Sequence, residues 1–252
     1  MKKSFLMIFT ILTVGLLTSC VDDPASTENT EGQLALFSTP SGATIYLDGS
    51  STGLTTPDTI TTSVGTHSIS FQLTNYETKS YDAISISAFD TDADRGLLSA
   101  DLVPEYLTYG PIKIWETGNG TTVDQPSGVD LSDGATVALS STGKQATDIY
   151  YTGSNFTIRS ADLNTANGLT KVTLFKAGAS AVLTDGVDSP VQESTWDNSM
   201  PDDIGNYYFL YDNDGNYSKF KVTGSGGSAV TGDPAWVEVQ WIYVKATDEV
   251  KF

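Results

Sequence analysis

Two turns enclose a single alternating strand in the stretch Ser38-Thr39-Pro40-Ser41-Gly42-Ala43-Thr44-Ile45-Tyr46-Leu47-Asp48-Gly49. Pro, Ser and Gly at 40–42 suit a chain reversal. Asp48-Gly49 suits a second one, because aspartate bonds its own backbone and glycine accepts a positive φ. Between the turns, every second side chain is apolar. The stretch therefore predicts a half-buried β-strand between two tight turns.

The same alternation recurs around this stretch, at 34–36, 69–73, 83–89 and 97–103. Only 17% of the residues are charged. Gly, Ser, Thr, Asp, Tyr and Val are abundant, and this composition favours short strands and turns over surface helices. The sequence predicts an all-β protein whose first domain spans residues 33–104.

Residues 32–104 resemble the PEGA domain, a family named after a Pro-Glu-Gly-Ala tetrapeptide that here reads Pro40-Ser41-Gly42-Ala43. The likeness departs from the family at Ser41 and at Asn75, which are both turn positions. It implies a small β-sandwich of bacterial or archaeal surface and envelope proteins, without a known catalytic centre. Further features in register are Ile45-Tyr46-Leu47-Asp48-Gly49, Thr52-Gly53, Thr55-Thr56-Pro57, Gly65-Thr66-His67-Ser68-Ile69 and Asn75-Tyr76.

A second domain is predicted over residues 112–252, after a short linker at 105–111 that contains Gly110-Pro111. The clearest element is a hairpin at 207–222, because Asn213-Asp214-Gly215 supplies a tight turn between two aromatic runs. We expect a larger β-sandwich-like domain. Its strands are predicted at 113–115, 129–139, 147–151, 156–158, 169–176, 207–211, 217–222 and 236–245.

This second half is also similar to HmuY-type haem-carrying lipoproteins, at 130–134, at 148–151 and in Gly215-Asn216-Tyr217-Ser218-Lys219. The resemblance implies a ligand carrier. That family holds iron between two side chains, typically histidines. Beyond the first nineteen residues this chain has one histidine, His67, and one methionine, Met200, so a bis-histidine site cannot form within it.

The N-terminus predicts a lipid anchor. Met1-Lys2-Lys3 is basic, residues 5–17 are mostly apolar, and Leu17-Thr18-Ser19-Cys20 resembles the lipobox of bacterial lipoproteins. The apolar run is shorter than the roughly 20 residues that span a bilayer, which disfavours a transmembrane anchor. We expect a signal peptide at 1–19, lipidation of Cys20, and a flexible tether over 20–32. The predicted location is the outer membrane of the cell envelope, with the protein exposed at the surface.

The charge excludes one class of partner. The net charge is −18 at pH 7, and loss of Lys2 and Lys3 with the signal peptide makes it more negative. Nucleic acid would be repelled, because its binding depends on a dense array of Lys and Arg. The predicted partners are the membrane, through the lipid, and an unidentified protein or glycan.

An acidic loop is the main candidate metal site; Asp212 and Asp214 are a second one, but the hairpin turn explains them better. Asp90, Asp92, Asp94 and Asp101 partly follow the spacing of a calcium loop, but glycine falls at position seven and the twelfth residue is Asp instead of Glu. A solvated acidic loop is the simpler interpretation. We therefore predict no cofactor, and keep calcium at these four residues as the alternative.

Aromatic side chains are dense in the last sixty residues. On an exposed strand face they would form a platform for sugars or a partner protein; alternatively, half of them fill the core. The residues singled out as binding aromatics are Trp196, Trp236, Trp241 and Tyr243.

No catalytic residue is predicted. Cys20 is the only thiol, and His67, the only histidine, is read as a strand residue of the first domain. Ser-His-Asp and Cys-His catalysis are therefore disfavoured, because a nucleophile needs an imidazole in the same cleft. The favoured function is a non-enzymatic surface lipoprotein that serves as a binding, adhesion or structural module. The alternative is a ligand carrier or a hydrolase whose site lies in the C-terminal domain.

Overall fold

The computed structural model describes residues 29–118, 124–153, 155–228 and 233–252. The predicted signal peptide, Cys20 and the predicted tether up to residue 28 lie outside these ranges, whereas residues 31 and 32 of that tether already belong to the first strand. None of the short helical turns inside the described ranges has the length or apolar content to cross a bilayer. They lie at Asp92–Asp94, Lys144–Ala146, Ala161–Leu163 and Thr165–Asn167. All regular elements described are otherwise strands, so the all-β prediction is confirmed.

The N-terminal unit is a sandwich of two sheets, ordered β4-β1-β7 and β3-β2-β5-β6. Strand β7 runs parallel to β1, while the other neighbours are antiparallel. The buried side chains of β1 alternate, as the sequence predicts. The bounds are β1 (Glu31–Thr39), β2 (Thr44–Leu47), β3 (Ser50–Thr55), β4 (Asp58–Ser63), β5 (Gly65–Gln72), β6 (Lys79–Ile86) and β7 (Gly96–Asp101).

The predicted turn at Asp48-Gly49 forms. Both residues have positive φ, 48° and 78°, which matches the two-residue turn that joins twisted antiparallel strands, here β2 and β3. Ile45 on β2 is fully buried against Phe71 and Leu36 in the sandwich core. The strand in the stretch that predicted the fold therefore contributes to the core of the N-terminal sandwich.

The C-terminal unit is a second sandwich, of two five-stranded sheets ordered β10-β9-β11-β12-β14 and β13-β15-β16-β17-β8. The predicted hairpin at 207–222 is present, with β15 paired to β16. The bounds are β8 (Tyr106–Trp115), β9 (Gly128–Asp130), β10 (Ala135–Val137), β11 (Ile149–Thr152), β12 (Thr157–Ser160), β13 (Leu174–Ala177), β14 (Ser199–Pro201), β15 (Tyr208–Tyr211), β16 (Tyr217–Ser228) and β17 (Asp233–Val244).

The predicted linker at 105–111 is wrong. Residues 106–111 are the first half of β8, which pairs with β17. Gly110 suggests a break in the sequence, but its φ of 85° belongs to a strand irregularity between the pairs Ile112–Val239 and Tyr109–Trp241. Glu105 alone stands between the sandwiches. Its amide donates to the Asn75 carbonyl at 2.8 Å and its carbonyl accepts from the Lys245 amide at 3.0 Å.

Side chains also join the two sandwiches. The Asn75 amide donates to the Lys245 carbonyl at 3.0 Å, and the Tyr76 hydroxyl donates to Glu249 at 2.7 Å. Lys251 pairs with Asp101 at 2.7 Å. Asn75 has a φ of 67°, a left-handed conformation that Gly and Asn adopt readily, which explains this departure from the PEGA pattern.

Candidate functional site

Three of the four predicted binding aromatics are core residues. Trp241 is fully buried, and its indole N–H donates to the Leu131 carbonyl at 2.9 Å. Tyr243 lies in the same core, and Trp196 packs edge-on against Tyr217 in a second cluster. Their assignment to an exposed platform is therefore wrong: Trp241 and Tyr243 occupy inward positions of β17, and Trp196 lies in a loop that packs on the other cluster. Trp236 alone of the four is partly exposed.

The acidic loop does not assemble a metal site. Across the described ranges, no three His, Cys, Asp or Glu side chains converge in a way that suits a metal ion. Asp92 pairs with Arg95 at 2.9 Å, Asp94 accepts from the Thr91 amide and hydroxyl, and Asp101 pairs with Lys251 of the other sandwich. These carboxylates have separate partners, so the structure does not bring the four residues together as the predicted calcium site. Asp90 accepts at 3.5 Å from Asn29.

A cleft of about 310 Å³ opens beside Trp236, at one edge of the C-terminal sandwich. Strand β15 pairs with β16 only up to Phe220, so among the described strands the second half of β16 has β17 as its single neighbour. The cleft lies along that free edge. Its lining residues are Tyr151, Phe156, Asp202, Ser225, Gly226, Gly227, Ala235 and Trp236.

Trp236 lies flat over a glycine strand. A Cβ added to Gly226 would lie 2.5 Å from Cζ2 of the indole, so this close approach requires glycine. The Lys113 ammonium sits 3.9 Å from the centre of the indole ring. This contact is a cation–π interaction of an exposed lysine, worth about 0.5–1 kcal/mol. A ligand can therefore displace Lys113 at small cost.

Phe156 also lines the cleft, and its backbone is unusual. Its φ is 51°, which costs a non-glycine residue about 1–2 kcal/mol, and its side chain is 42% exposed. Strain of this kind concentrates at ligand sites, where the geometry is needed for contact. The backbone of the turn between β11 and β12 therefore leaves the phenyl ring exposed at the cleft.

The floor of the cleft carries a hydrogen-bonded polar pair. The Tyr151 hydroxyl donates to the Asp202 carboxylate at 2.7 Å. Burial, and then this bond to a carboxylate, raise the pKa of Tyr151 above its ordinary value of 10.0, so the hydroxyl stays protonated. Tyr151 is itself buried, which fixes Asp202 as an oriented acceptor.

The motifs that resemble haem carriers have structural partners. Buried Asp148 accepts from the Leu131 amide at 2.8 Å and lies 2.9 Å from the Lys171 ammonium. Burial raises the pKa of Asp148 to about 6, against the lowering effect of Lys171. Asp130 accepts from Ser132, and Asp212 accepts from the amides of its own turn. The carboxylates of these aspartates are thus engaged in hydrogen bonds that stabilise the local backbone.

His67 pairs with a carboxylate in the N-terminal sandwich. Its Nδ1 lies 2.7 Å from Asp48, and Nε2 lies 2.9 Å from the Ser63 carbonyl. The bond to Asp48 raises the pKa of His67 above 6.5 and lowers the pKa of Asp48 below 3.8. The stabilisation from charged His67 is therefore complete below pH 6.5 and is lost as the pH rises through the folded pKa.

We expect an NMR titration of His67 in the folded protein to give a pKa above 6.5. Its resonances are easily assigned in the mature chain because the sequence has one histidine. In Asp48→Asn the pKa should fall toward 6.5, since the paired charge is gone. Asp58→Asn, an exposed change on β4, is the matched control and should leave it unchanged. An unshifted His67 in the wild-type protein would contradict the pair.

No curated protein and no solved structure matches the chain. A family model matches part of it: residues 31–86 match the PEGA domain. The match runs from β1 to the end of β6, and β7 with buried Leu102 completes the same core. The N-terminal sandwich is thus similar to PEGA domains, as its turn and strand pattern predicts.

Proposed function

We propose that this protein is a non-enzymatic lipoprotein of the cell envelope that binds a partner at the cell surface. Cys20 carries the lipid, residues 21–32 hold the protein off the outer membrane, and the PEGA-like sandwich acts as a spacer or adhesive unit. The C-terminal sandwich presents the cleft beside Trp236 to a protein or glycan. The family match at 31–86 supports a binding or structural module in general terms.

One observation carries this proposal: an exposed, strained Phe156 faces a cleft that also contains Trp236 and an oriented Asp202. Clefts that combine apolar rings with a few placed polar groups are typical ligand sites. The hydrogen bonds of Asn75 and Lys245 would connect this site to the PEGA-like sandwich, and through it to the lipid anchor.

Binding without hydrolysis is the better account of the cleft. Glycosidases need two carboxyl groups that flank the bond to be cleaved. Asp202 is the one carboxylate among the described lining residues. Nearby Glu116 is buried and accepts from the Ala235 amide at 3.3 Å, so it is held in the protein interior.

The anchor is tested by Cys20→Ala in intact cells. We expect the wild-type protein to incorporate a fatty-acid label and to be cleaved by protease added outside the cells. Cys20→Ala should lose the label, because the thiol is the acylation site. Ser19→Ala is the matched control, since a small residue before the cysteine preserves the lipobox. Labelled Cys20→Ala, or wild-type protein that external protease cannot reach, would contradict the proposal.

A further inference from the structure

We infer that the cleft beside Trp236 binds neutral hexopyranose units of a glycan. This inference rests on the proposed function and names the chemical class of the partner. Sugar rings present two kinds of surface, apolar C–H faces and a rim of hydroxyl groups. A site for them needs aromatic faces and, within reach, both donors and acceptors of hydrogen bonds.

Two aromatic residues line the cleft: Trp236 on β17, and Phe156 in the turn between β11 and β12. The ring of Trp236 packs on Gly226, and the exposed Lys113 places its ammonium over the same ring. Phe156 is held outward by its left-handed backbone. Rigid rings lose little entropy on contact, and aromatic stacking adds to the burial of apolar surface.

The cleft is also lined by hydrogen-bonding groups. Asp202 is an acceptor whose orientation is fixed by Tyr151. The backbone of Gly227 and the exposed Ser225 also line the cleft. A hydroxyl group can donate to a carboxylate and accept from a backbone amide, so sugar hydroxyls match both kinds of group.

Charge selects among sugars. None of the lining residues is a lysine or arginine, and Asp202 is a carboxylate. The chain as a whole carries −18. A uronic acid or sulfated sugar would therefore meet like charge, which disfavours its binding. The ammonium of Lys113, which could pair with an anion, lies over the indole ring of Trp236.

A peptide strand fits the free edge of β16 poorly. The pairing of β16 with β17 shifts register between Val222 and Gly224 and again between Gly226 and Ser228. Gly227 has a φ of 67°, outside the extended range. Bulges of this kind twist an edge and interrupt the ladder that an added strand would need. The geometry thus favours a sugar chain over β-strand addition.

The test uses the mature chain with Cys20→Ser, and calorimetric titration measures its affinity for each ligand. The neutral ligands are linear hexasaccharides of glucose, mannose and galactose. The acidic ligand is an oligogalacturonate. We expect at least one neutral chain to bind. Phe156→Asn, which keeps the left-handed backbone but lacks the ring, should weaken it by about tenfold or more. Trp236→Ala and Asp202→Asn should weaken it too. Tyr106→Ala, which removes an exposed aromatic of β8 opposite the far end of β17, should bind like wild type.

Lys113→Ala separates the charge classes. It should leave the affinity for the neutral chain unchanged or raise it, because the indole face is uncovered. Tighter binding of the oligogalacturonate than of every neutral chain, with loss on Lys113→Ala, would overturn the inference. So would the absence of binding by every neutral hexasaccharide.

A second arm distinguishes this inference from the proposed function. The same variants are bound to bacterial envelopes treated with periodate, which cleaves sugar diols, or with protease. Loss on periodate treatment and in Phe156→Asn supports the inference. Loss on protease treatment alone, again with dependence on Phe156, overturns the glycan while the proposed binding function stands. Envelope binding that none of the cleft variants weakens would overturn both.

Discussion

Replacing Asp185 with asparagine is expected to lower the free energy of unfolding by about 3–5 kcal/mol. The Lys219 ammonium is fully buried and lies 2.6 Å from the Asp185 carboxylate. The rings of Tyr207 and Phe252 flank it at 5.0 and 4.7 Å. Without Asp185, a charge stays buried with no counter-charge beside it. Unfolding in urea, followed by tryptophan fluorescence, measures the loss.

Two controls make this prediction specific. The double variant Asp185→Asn with Lys219→Met should recover most of the stability, because it leaves no buried charge and keeps an apolar chain among the rings. Asp203→Asn, an exposed acid, should behave like wild type. A single Asp185→Asn variant with wild-type stability would show that the buried pair contributes nothing measurable.

The ion pair of Asp185 and Lys219 also makes the stability of the protein fall in strong acid. Burial raises the pKa of Asp185, but hydrogen bonds from Lys219, the Val187 amide and Tyr207 lower it further, to about 2. A depressed folded pKa means that this stabilisation is fully present above pH 3.8 and is lost as the pH falls toward 2. The segment 178–191, which carries Asp185 over the outer face of β16, should open first in acid.

Replacing Trp241 with alanine is expected to cost about 3–5 kcal/mol. Trp241 is fully buried, with Tyr109 at 5.2 Å and Phe220 at 5.7 Å between ring centres. Trp241→Phe should cost about 1–3 kcal/mol, because it leaves the buried Leu131 carbonyl without its indole donor. Urea titration of both variants measures the two costs.

Trp236→Ala is the comparison that separates a core tryptophan from a cleft tryptophan. It removes a partly exposed ring that packs on Gly226, so it should destabilise the protein less than Trp241→Ala. It should affect ligand binding more. A larger stability loss for Trp236→Ala than for Trp241→Ala would contradict the assignment of the two residues.

Much of the fold could be predicted because its signals are local. Asp48-Gly49 specifies its own turn, and alternation along β1 and β5 specifies which side is buried. The hairpin of β15 and β16 follows from the turn at 212–215 in the same way. The first half of β8 was missed because Gly110-Pro111 reads as punctuation, whereas long-range pairing with β17 keeps it extended.

The cleft could be predicted only in part, because its residues are brought together by pairing between distant strands. Trp236 was identified, but Tyr151, Phe156 and Asp202 come from separate segments and carry no shared motif. Trp241 and Tyr243 were misassigned, since strand parity alone does not say which face meets the opposite sheet. One usable signal was the glycine run at 224–227, because glycine inside a strand marks a close approach.

The central claim is that a partner contacts the cleft beside Trp236. Hydrogen exchange of the mature chain with Cys20→Ser, with and without the tightest neutral hexasaccharide, tests it most directly. The account predicts slower exchange at 151–153 and 225–227, and unchanged exchange at 178–191 and throughout the PEGA-like sandwich. Protection confined to those last two regions, with none along the free edge of β16, would contradict it.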